Sequence, residues 1–383
     1  MIPYGRQNIS QADINAVIDV LKSDFLTQGP VVPKFEEALK QKTGGKYAVA
    51  LANATAALHL ACLALDLGPG DFLWTSPITF VASANVGRYC GATIDFVDIE
   101  PETFNICPDA LEEKLKLAKT SGTLPKILVA VHMCGQSPDM GRIGKLAAIY
   151  GFKVIEDASH AIGATYSGAP VGSCAYSDIT VFSFHPVKII TTGEGGVALT
   201  NSATLASRMQ RLRSHGITRE PSSMIGKSDG PWYYQQLELG FNYRITDIQA
   251  ALGLSQLSRL EEFVERRRSI ADRYNLLLSK LSVDLPGRLP EANSSWHLYV
   301  LRLQDASRHL AVFQSLRSDG IGVNLHYIPV HLQPYYQQLG FCIGDYPISE
   351  DYYSRAISLP IYPDLDDASQ LQVVAALEKS IVA

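Results

Sequence analysis

Between Tyr47 and Ile155 short apolar runs alternate with stretches of helical spacing, and no other feature of the chain restricts its fold as much. Residues 48–51, 72–74, 93–97, 127–133 and 153–155 read as strands. Residues 55–65, 81–90, 109–117 and 143–150 read as helices, the first of them stopped by Gly68-Pro69-Gly70. Strands that alternate with helices cannot pair as hairpins. They imply a mostly parallel sheet covered by helices on both faces.

The same alternation continues more loosely to the C-terminus. Residues 13–22 form an amphipathic helix before the first strand, residues 197–200 a strand and 205–214 a helix. Residues 217–238, rich in Ser, Gly, Tyr and Gln, suggest a mobile or ordered loop over a site. Residues 246–281 read as one long helix or two in sequence. Strands at 296–303 and 322–326 with helices at 310–319 and 368–381 suggest a smaller α/β unit. The expected organisation is a large domain over residues 1–250 and a small C-terminal domain over 251–383.

With 383 residues, 46% of them hydrophobic, the chain can bury a sizeable core without disulfides. Its six cysteines are dispersed, with no CxxC pair and no metal-ligand spacing, as suits buried thiols in a reducing cytoplasm and no bound metal. A net charge of −5 argues against a nucleic-acid partner. No apolar run is long enough to span a membrane, and the expected location is cytoplasmic.

Four segments carry candidate chemistry, each at or near the end of an expected strand, where parallel α/β sheets bind ligands. In Asn53-Ala54-Thr55-Ala56-Ala57-Leu58, backbone N–H groups and the Thr55 hydroxyl can hold a phosphate at a helix N-terminus, or simply cap the helix. In KVIEDASH, residues 153–160, Asp157 can face a protonated pyridine nitrogen, or serve as a helix N-cap. In VFSFHPVK, residues 181–188, Lys188 stands among apolar residues and leads into Gly193-Glu194-Gly195-Gly196. Burial would favour its free amine, the form that attacks an aldehyde carbon; the alternative is a surface lysine in a loop. Phe80 can stack on a planar ring or belong to the core. In chain order these supply a phosphate cradle, a stacking ring, a carboxylate for a ring nitrogen and a lysine. A pyridoxal-phosphate enzyme of the aspartate-aminotransferase fold type (PLP fold type I) needs that set.

With those residues in view, the chain resembles the DegT/DnrJ/EryC/StrS family of sugar aminotransferases over nearly its whole length, most specifically in residues 53–58, 156–163, 182–196, 240–253 and 326–329. The resemblance implies pyridoxal 5′-phosphate as cofactor, with Lys188 its covalent attachment point and Asp157 the partner of its pyridine nitrogen. It implies His160 beside the ring, Phe80 stacked on it, and Thr55, Ala56 and Ser183 on the phosphate. Asn242 matches an asparagine that reaches the cofactor phosphate of a second subunit, so a homodimer with shared active sites is implied. Lys188 stands where dehydratase relatives carry histidine, which favours transamination.

Within the family the resemblance is greatest to the pseudaminic-acid branch. Those members use L-glutamate to aminate carbon 4 of UDP-2-acetamido-2,6-dideoxy-β-L-arabino-hex-4-ulose. The supporting stretches are Tyr4, residues 25–29 with Thr27, residues 213–216, residues 297–299 and residues 325–327. Tyr4, Thr27, His185, Asn242, His326 and Tyr327 are the implied substrate contacts, with core packing the competing reading for His185, His326 and Tyr327. Two departures are Gly193, where relatives usually carry a non-glycine residue, and Pro186-Val187 in place of Ala-Ile. A UDP-keto-pentose aminotransferase and a non-catalytic cofactor-binding regulator of the same fold are the alternatives. A nicotinamide oxidoreductase is disfavoured because no G-x-G-x-x-G follows the first strands.

Overall fold

The computed structural model describes residues 1–382. After the helices Gln11–Leu21 (α1) and Val31–Thr43 (α2) the chain lays down Tyr47–Leu51 (β1), Ala54–Ala64 (α3), Phe72–Thr75 (β2), Ala82–Tyr89 (α4), Thr93–Phe96 (β3) and Pro108–Ser121 (α5). Ile127–Val131 (β4), Met140–Tyr150 (α6) and Lys153–Asp157 (β5) follow. A two-residue hairpin, Thr165–Tyr166 (β6) and Ala169–Pro170 (β7), intervenes before Ile179–Ser183 (β8) and Gly196–Thr200 (β9). Seven of these strands form one sheet in the order β1-β9-β8-β5-β4-β2-β3. The run from β8 to β3 is parallel, and β9 lies antiparallel to both its neighbours.

Side chains of successive strand residues point to opposite faces, and helices cover both. Val49 and Leu51 join the core beneath α3, α4 and Ala203–Arg213 (α7). Ala48 and Ala50 join the opposite core against α2 and Asp247–Leu257 (α8). Trp74, Leu128 and Val154 carry that second face across to α5 and α6. The expected mostly parallel sheet between helical layers is therefore what forms.

Between α7 and α8 the segment expected as a loop holds a short ladder, Ile217–Thr218 (β10) with Gln235–Gln236 (β11), and one 3-10 turn at Pro221–Ser223. Leu260–Leu278 (α9) resolves the long helical stretch into two helices. Its first turns, with Leu260, Phe263 and Val264, pack on the large sheet, and Ile270, Tyr274 and Leu278 enter a separate core. That core is built on an antiparallel sheet of Val283–Asp284 (β12), Tyr299–Leu303 (β14) and Ala356–Leu359 (β15), while Ala292–Asn293 (β13) pairs with β6. His309–Ser318 (α10) and Asp367–Val382 (α13) cover it; Pro334–Gln337 (α11) and Pro347–Arg355 (α12) lie between.

The strand expected at 322–326 does not form. Asn324 makes one bridge to Ser358, and beyond it the chain turns so that His326 and Tyr327 reach the large sheet's cavity. The elements α2, β8, α12 and β15 were not anticipated.

Candidate active site

The site is built on the carboxyl edge of the large sheet. Leu51, at the end of β1, and Ser183, at the end of β8, both pair with Gly196 at the start of the antiparallel β9. That row brings the start of α3 beside the end of β8. It also explains Gly196: a Cβ there would lie 2.5 Å from the Ala54 nitrogen, so only glycine lets β9 pass under the helix start. Gly193, with φ of 80°, supplies the left-handed turn before it.

The Asn53 side chain caps α3 by accepting from the Ala56 N–H at 2.8 Å. Capping and anion binding coexist here, because the other first-turn N–H groups remain without helical partners and the positive end of the helix opens into the cavity. That cavity has a volume of 740 Å³ and is lined by Thr55, Ala56, Phe80, Asp157, Ser183, His185 and Lys188, with Tyr4, His326 and Tyr327 on the wall contributed by the N-terminus and the small sheet.

Asp157 is the last residue of β5, and no helix follows it, so the N-cap alternative falls. Its Oδ2 accepts from Ser83 Oγ at 2.6 Å, and its Oδ1 accepts from the Ser159 hydroxyl at 2.6 Å and the Ser159 N–H at 3.2 Å. Burial pushes the Lys188 ammonium down to about 8, against the Asp157 charge, which favours the protonated form. Phe80 is 58% exposed and faces the cavity, so it is not a core residue. Its nearest ring is Tyr327, with centroids 6.2 Å apart.

Three histidines stand around Lys188. Burial first, and then the lysine's charge, push His326 down to about 4, and burial also holds His160 and His297 well below the usual imidazole range. His326 Nδ1 lies 2.8 Å from Ser358 Oγ, and its ring packs on Tyr4 at 5.4 Å.

Some expected residues lie elsewhere. His160 is buried behind Tyr327 and off the cavity surface. Thr27, exposed and bridged to Thr246, and Asn242, exposed and bridged to Ser214, do not line this chain's own cavity. Residues 217–238 do not line it either. They stay with α7, where the His215 N–H donates to Phe241 O and the Leu237 N–H to Gly216 O. Conversely, His59, Tyr89, Glu194 and Tyr243 line the cavity and were missed. His59 was findable, since it follows Thr55 by four residues on one helix and shares its face. Tyr243 comes from a distant segment; its neighbour Asn242 drew attention to that segment, but nothing local distinguishes Tyr243 itself as a cavity residue.

A second cavity of 570 Å³ lies between the end of α2 and the start of α9. Its charges are largely spoken for, Lys42 by Glu261 and Arg268 by the carbonyls of Gly163 and Ser294. Of these two cavities among the described residues, the 740 Å³ one combines an amine of lowered basicity, a fixed carboxylate, a capped helix start and an exposed aromatic ring. Those groups fit pyridoxal phosphate: helix start and Ser183 for the phosphate, Phe80 for the ring face, Asp157 for the nitrogen, and Lys188 for the aldehyde carbon.

Comparison with known proteins agrees with this geometry. Residues 7–378 match the DegT/DnrJ/EryC1/StrS aminotransferase family. The Campylobacter jejuni UDP-4-amino-4,6-dideoxy-N-acetyl-beta-L-altrosamine transaminase is 38% identical, over 96% of this chain and 94% of its own length. The Bacillus subtilis spore coat polysaccharide biosynthesis protein SpsC is 38% identical, over 98% of this chain and 96% of its own. The fold superposes on the PLP-form of the Streptococcus pneumoniae protein Spr1654, a putative sugar aminotransferase by its description, with a TM-score of 0.89 at 29% identity, covering 100% of this chain and 98% of that one.

Proposed function

This chain belongs to the DegT/DnrJ/EryC1/StrS aminotransferase family, as a pyridoxal-phosphate-dependent enzyme acting on nucleotide-linked keto-sugars, and we propose that it moves the amino group of L-glutamate to carbon 4 of UDP-2-acetamido-2,6-dideoxy-β-L-arabino-hex-4-ulose. The product is UDP-4-amino-4,6-dideoxy-N-acetyl-β-L-altrosamine, on the route to pseudaminic acid. The reading rests on one observation above others: Lys188, with its basicity lowered, and the fixed carboxylate of Asp157 face the same cavity. The named activity of the Campylobacter relative supports the choice of sugar.

When bound, pyridoxal phosphate supplies an electron sink that stabilises negative charge on the carbon attached to its nitrogen. The Asp157 carboxylate would accept the ring nitrogen's N–H and so keep that nitrogen protonated, which keeps the sink effective. Lys188 Nζ takes the proton from the α-carbon of glutamate, and later delivers one to carbon 4 of the sugar. With its pKa lowered to about 8, roughly a tenth of the amine is free at pH 7, enough to do both, whereas a lysine of ordinary basicity would have under about a thousandth. Tyr4, His185, His326 and Tyr327 orient the sugar. Asn242 and Thr27, exposed and outside the lining of this chain's cavity, serve the site of a second copy in a homodimer.

The test is a visible spectrum of the purified protein with pyridoxal phosphate, first with glutamate and then with the UDP-4-keto-hexose. Loss of the visible band on adding glutamate, its return with that sugar, and a 4-amino sugar identified by mass are expected. Return only with a UDP-keto-pentose or another nucleotide-linked keto-sugar would replace the proposed acceptor. A protein that binds the cofactor and exchanges no amino group with any donor would be the regulator instead.

A further inference from the structure

We infer that Ser83, backed by Thr79, is a positioning residue that fixes the Asp157 carboxylate for the cofactor's ring nitrogen. The inference rests on the reading of the site given above. Ser83 is fully buried on the first turn of α4, and Thr79 is buried in the turn that precedes it. Ser83 Oγ lies 2.6 Å from Asp157 Oδ2 and 2.7 Å from Thr79 Oγ1.

A serine hydroxyl has a single proton. Because an ionised carboxylate can only accept, Ser83 gives that proton to Asp157, and Thr79 must therefore donate to Ser83. The order Thr79 to Ser83 to Asp157 is fixed by this argument, and each link polarises the next.

The carboxylate's capacity carries the inference further. Ionised Asp157 offers about four acceptor positions. Three are taken, by the Ser83 hydroxyl and by the hydroxyl and N–H of Ser159. One is left, on a residue that lines the cavity, and a single N–H such as that of a pyridinium fills it. Ser159 holds one oxygen from its own turn. Ser83 holds the other from α4, so its bond, set against the two from Ser159, fixes the carboxylate against rotation about its last bond. Ser83 does not line the cavity and touches no ligand there; it acts through Asp157.

The experiment titrates the apoprotein with pyridoxal 5′-phosphate for wild type, Ser83→Ala, Ser83→Thr, Asp157→Asn, the Ser83→Ala/Asp157→Asn double variant and Thr79→Val. Affinity is read from visible absorbance, and the pH midpoint of the bound cofactor's band is recorded. Losing a buried hydrogen bond to a charged group should weaken cofactor binding about tenfold in Ser83→Ala. The midpoint should rise, because a ring nitrogen that keeps its positive charge less well repels a neighbouring proton less. Thr79→Val should shift both in the same direction by a smaller amount, and Ser83→Thr should restore them.

In the Asp157→Asn background the effect of Ser83→Ala should shrink to nothing, since the two act as one unit. An unchanged midpoint in Ser83→Ala, or effects of Ser83→Ala and Asp157→Asn that simply add, would overturn the inference. If Ser83→Ala does not fold, an unchanged midpoint in Thr79→Val overturns it equally. A wild-type protein that shows no visible band with the cofactor sinks the underlying reading of the site, a different result from any of these.

Discussion

The Tyr327 hydroxyl lies 3.2 Å from His160 Nε2, joining a cavity-wall residue to a histidine buried behind it. Burial raises the tyrosine and lowers the histidine, so the first stays protonated and the second neutral. Either the hydroxyl donates to a bare Nε2 or an Nε2–H donates to the hydroxyl oxygen, and in both tautomers Nδ1 has no partner among the described residues. Tyr327→Phe leaves the aromatic ring in place and strips the His160 imidazole of its one hydrogen bond among the described residues. A loss of about 1–3 kcal/mol in stability is expected, measured by urea unfolding of the apoprotein. A change below about 0.5 kcal/mol, the range of a neutral surface substitution, would mean that the hydroxyl's partner is not His160.

His160, His297 and His326 also set the response to acid. Each has a folded-state pKa below the ordinary value of 6.5, His326 at about 4. Above pH 6.5 both folded and unfolded chains carry these rings neutral. As the pH falls below 6.5 the unfolded chain gains protons that the folded one refuses, and stability drops until the folded pKa values are reached. With all three contributing, the slope approaches about 4 kcal/mol per pH unit at most. Urea midpoints between pH 7.5 and 4.5 measure it, and a flat profile over that range would contradict the neutral cluster.

Cofactor capture should follow the Lys188 amine. Its pKa of about 8 means that the attacking, unprotonated form grows as the pH rises through 8 and levels off above. The rate of visible-band formation on mixing apoprotein with pyridoxal phosphate should trace that curve. Lys188→Ala should abolish the covalent band and lower turnover by about 10²–10⁴-fold, the range for a lost acid–base group. A midpoint near 10 would mean that the lysine is solvated and not enclosed.

Asp157→Ala should cost about 10²–10³ in kcat, the loss seen when a fixed charge-stabilising group is removed, with little change in KM for either substrate. Near-wild-type turnover would remove Asp157 from the mechanism.

The chemistry was more legible in the sequence than parts of the scaffold. Lys188, Asp157 and the start of α3 announce themselves because strand ends, glycines and a helix start leave local marks. Phe80 could not be assigned from its letters, since an aromatic beside a strand suits a core as well as a cavity; only its exposure decides. His297 and Tyr243 stand in stretches that carry the resemblance, but no role could be read for them because their neighbours, His160 and His59, come from segments more than a hundred residues away. The strand β8 was hidden by the motif that ends it, and β15 is a short run too unremarkable to stand out from helix α12 before it.

Helix α2 was missed for a reason that makes its own prediction. Val32, Phe35, Leu39 and Thr43 are buried at helical spacing, and Gly44 closes the helix in the left-handed conformation. What is lacking is a start signal, for Pro30 stands at the cap position and gives no side-chain bond. The cap comes from the first residue of α8. Asp247, fully buried, accepts from the N–H groups of Gly29 at 2.7 Å, Val31 at 2.8 Å and Val32 at 3.3 Å. One carboxylate thus serves the positive end of α2 while standing at the positive end of α8, a placement that favours negative charge twice over. Asp247→Ala leaves those donors without partners and should cost about 2–4 kcal/mol, more than an ordinary cap because the acceptor is charged and buried. Asp247→Asn keeps one acceptor oxygen and should cost less. Hydrogen exchange at Val31 and Val32 should accelerate in both variants, ahead of exchange in the central strands. If their protection were unchanged in Asp247→Ala, α2 would be held by its packing against the sheet alone.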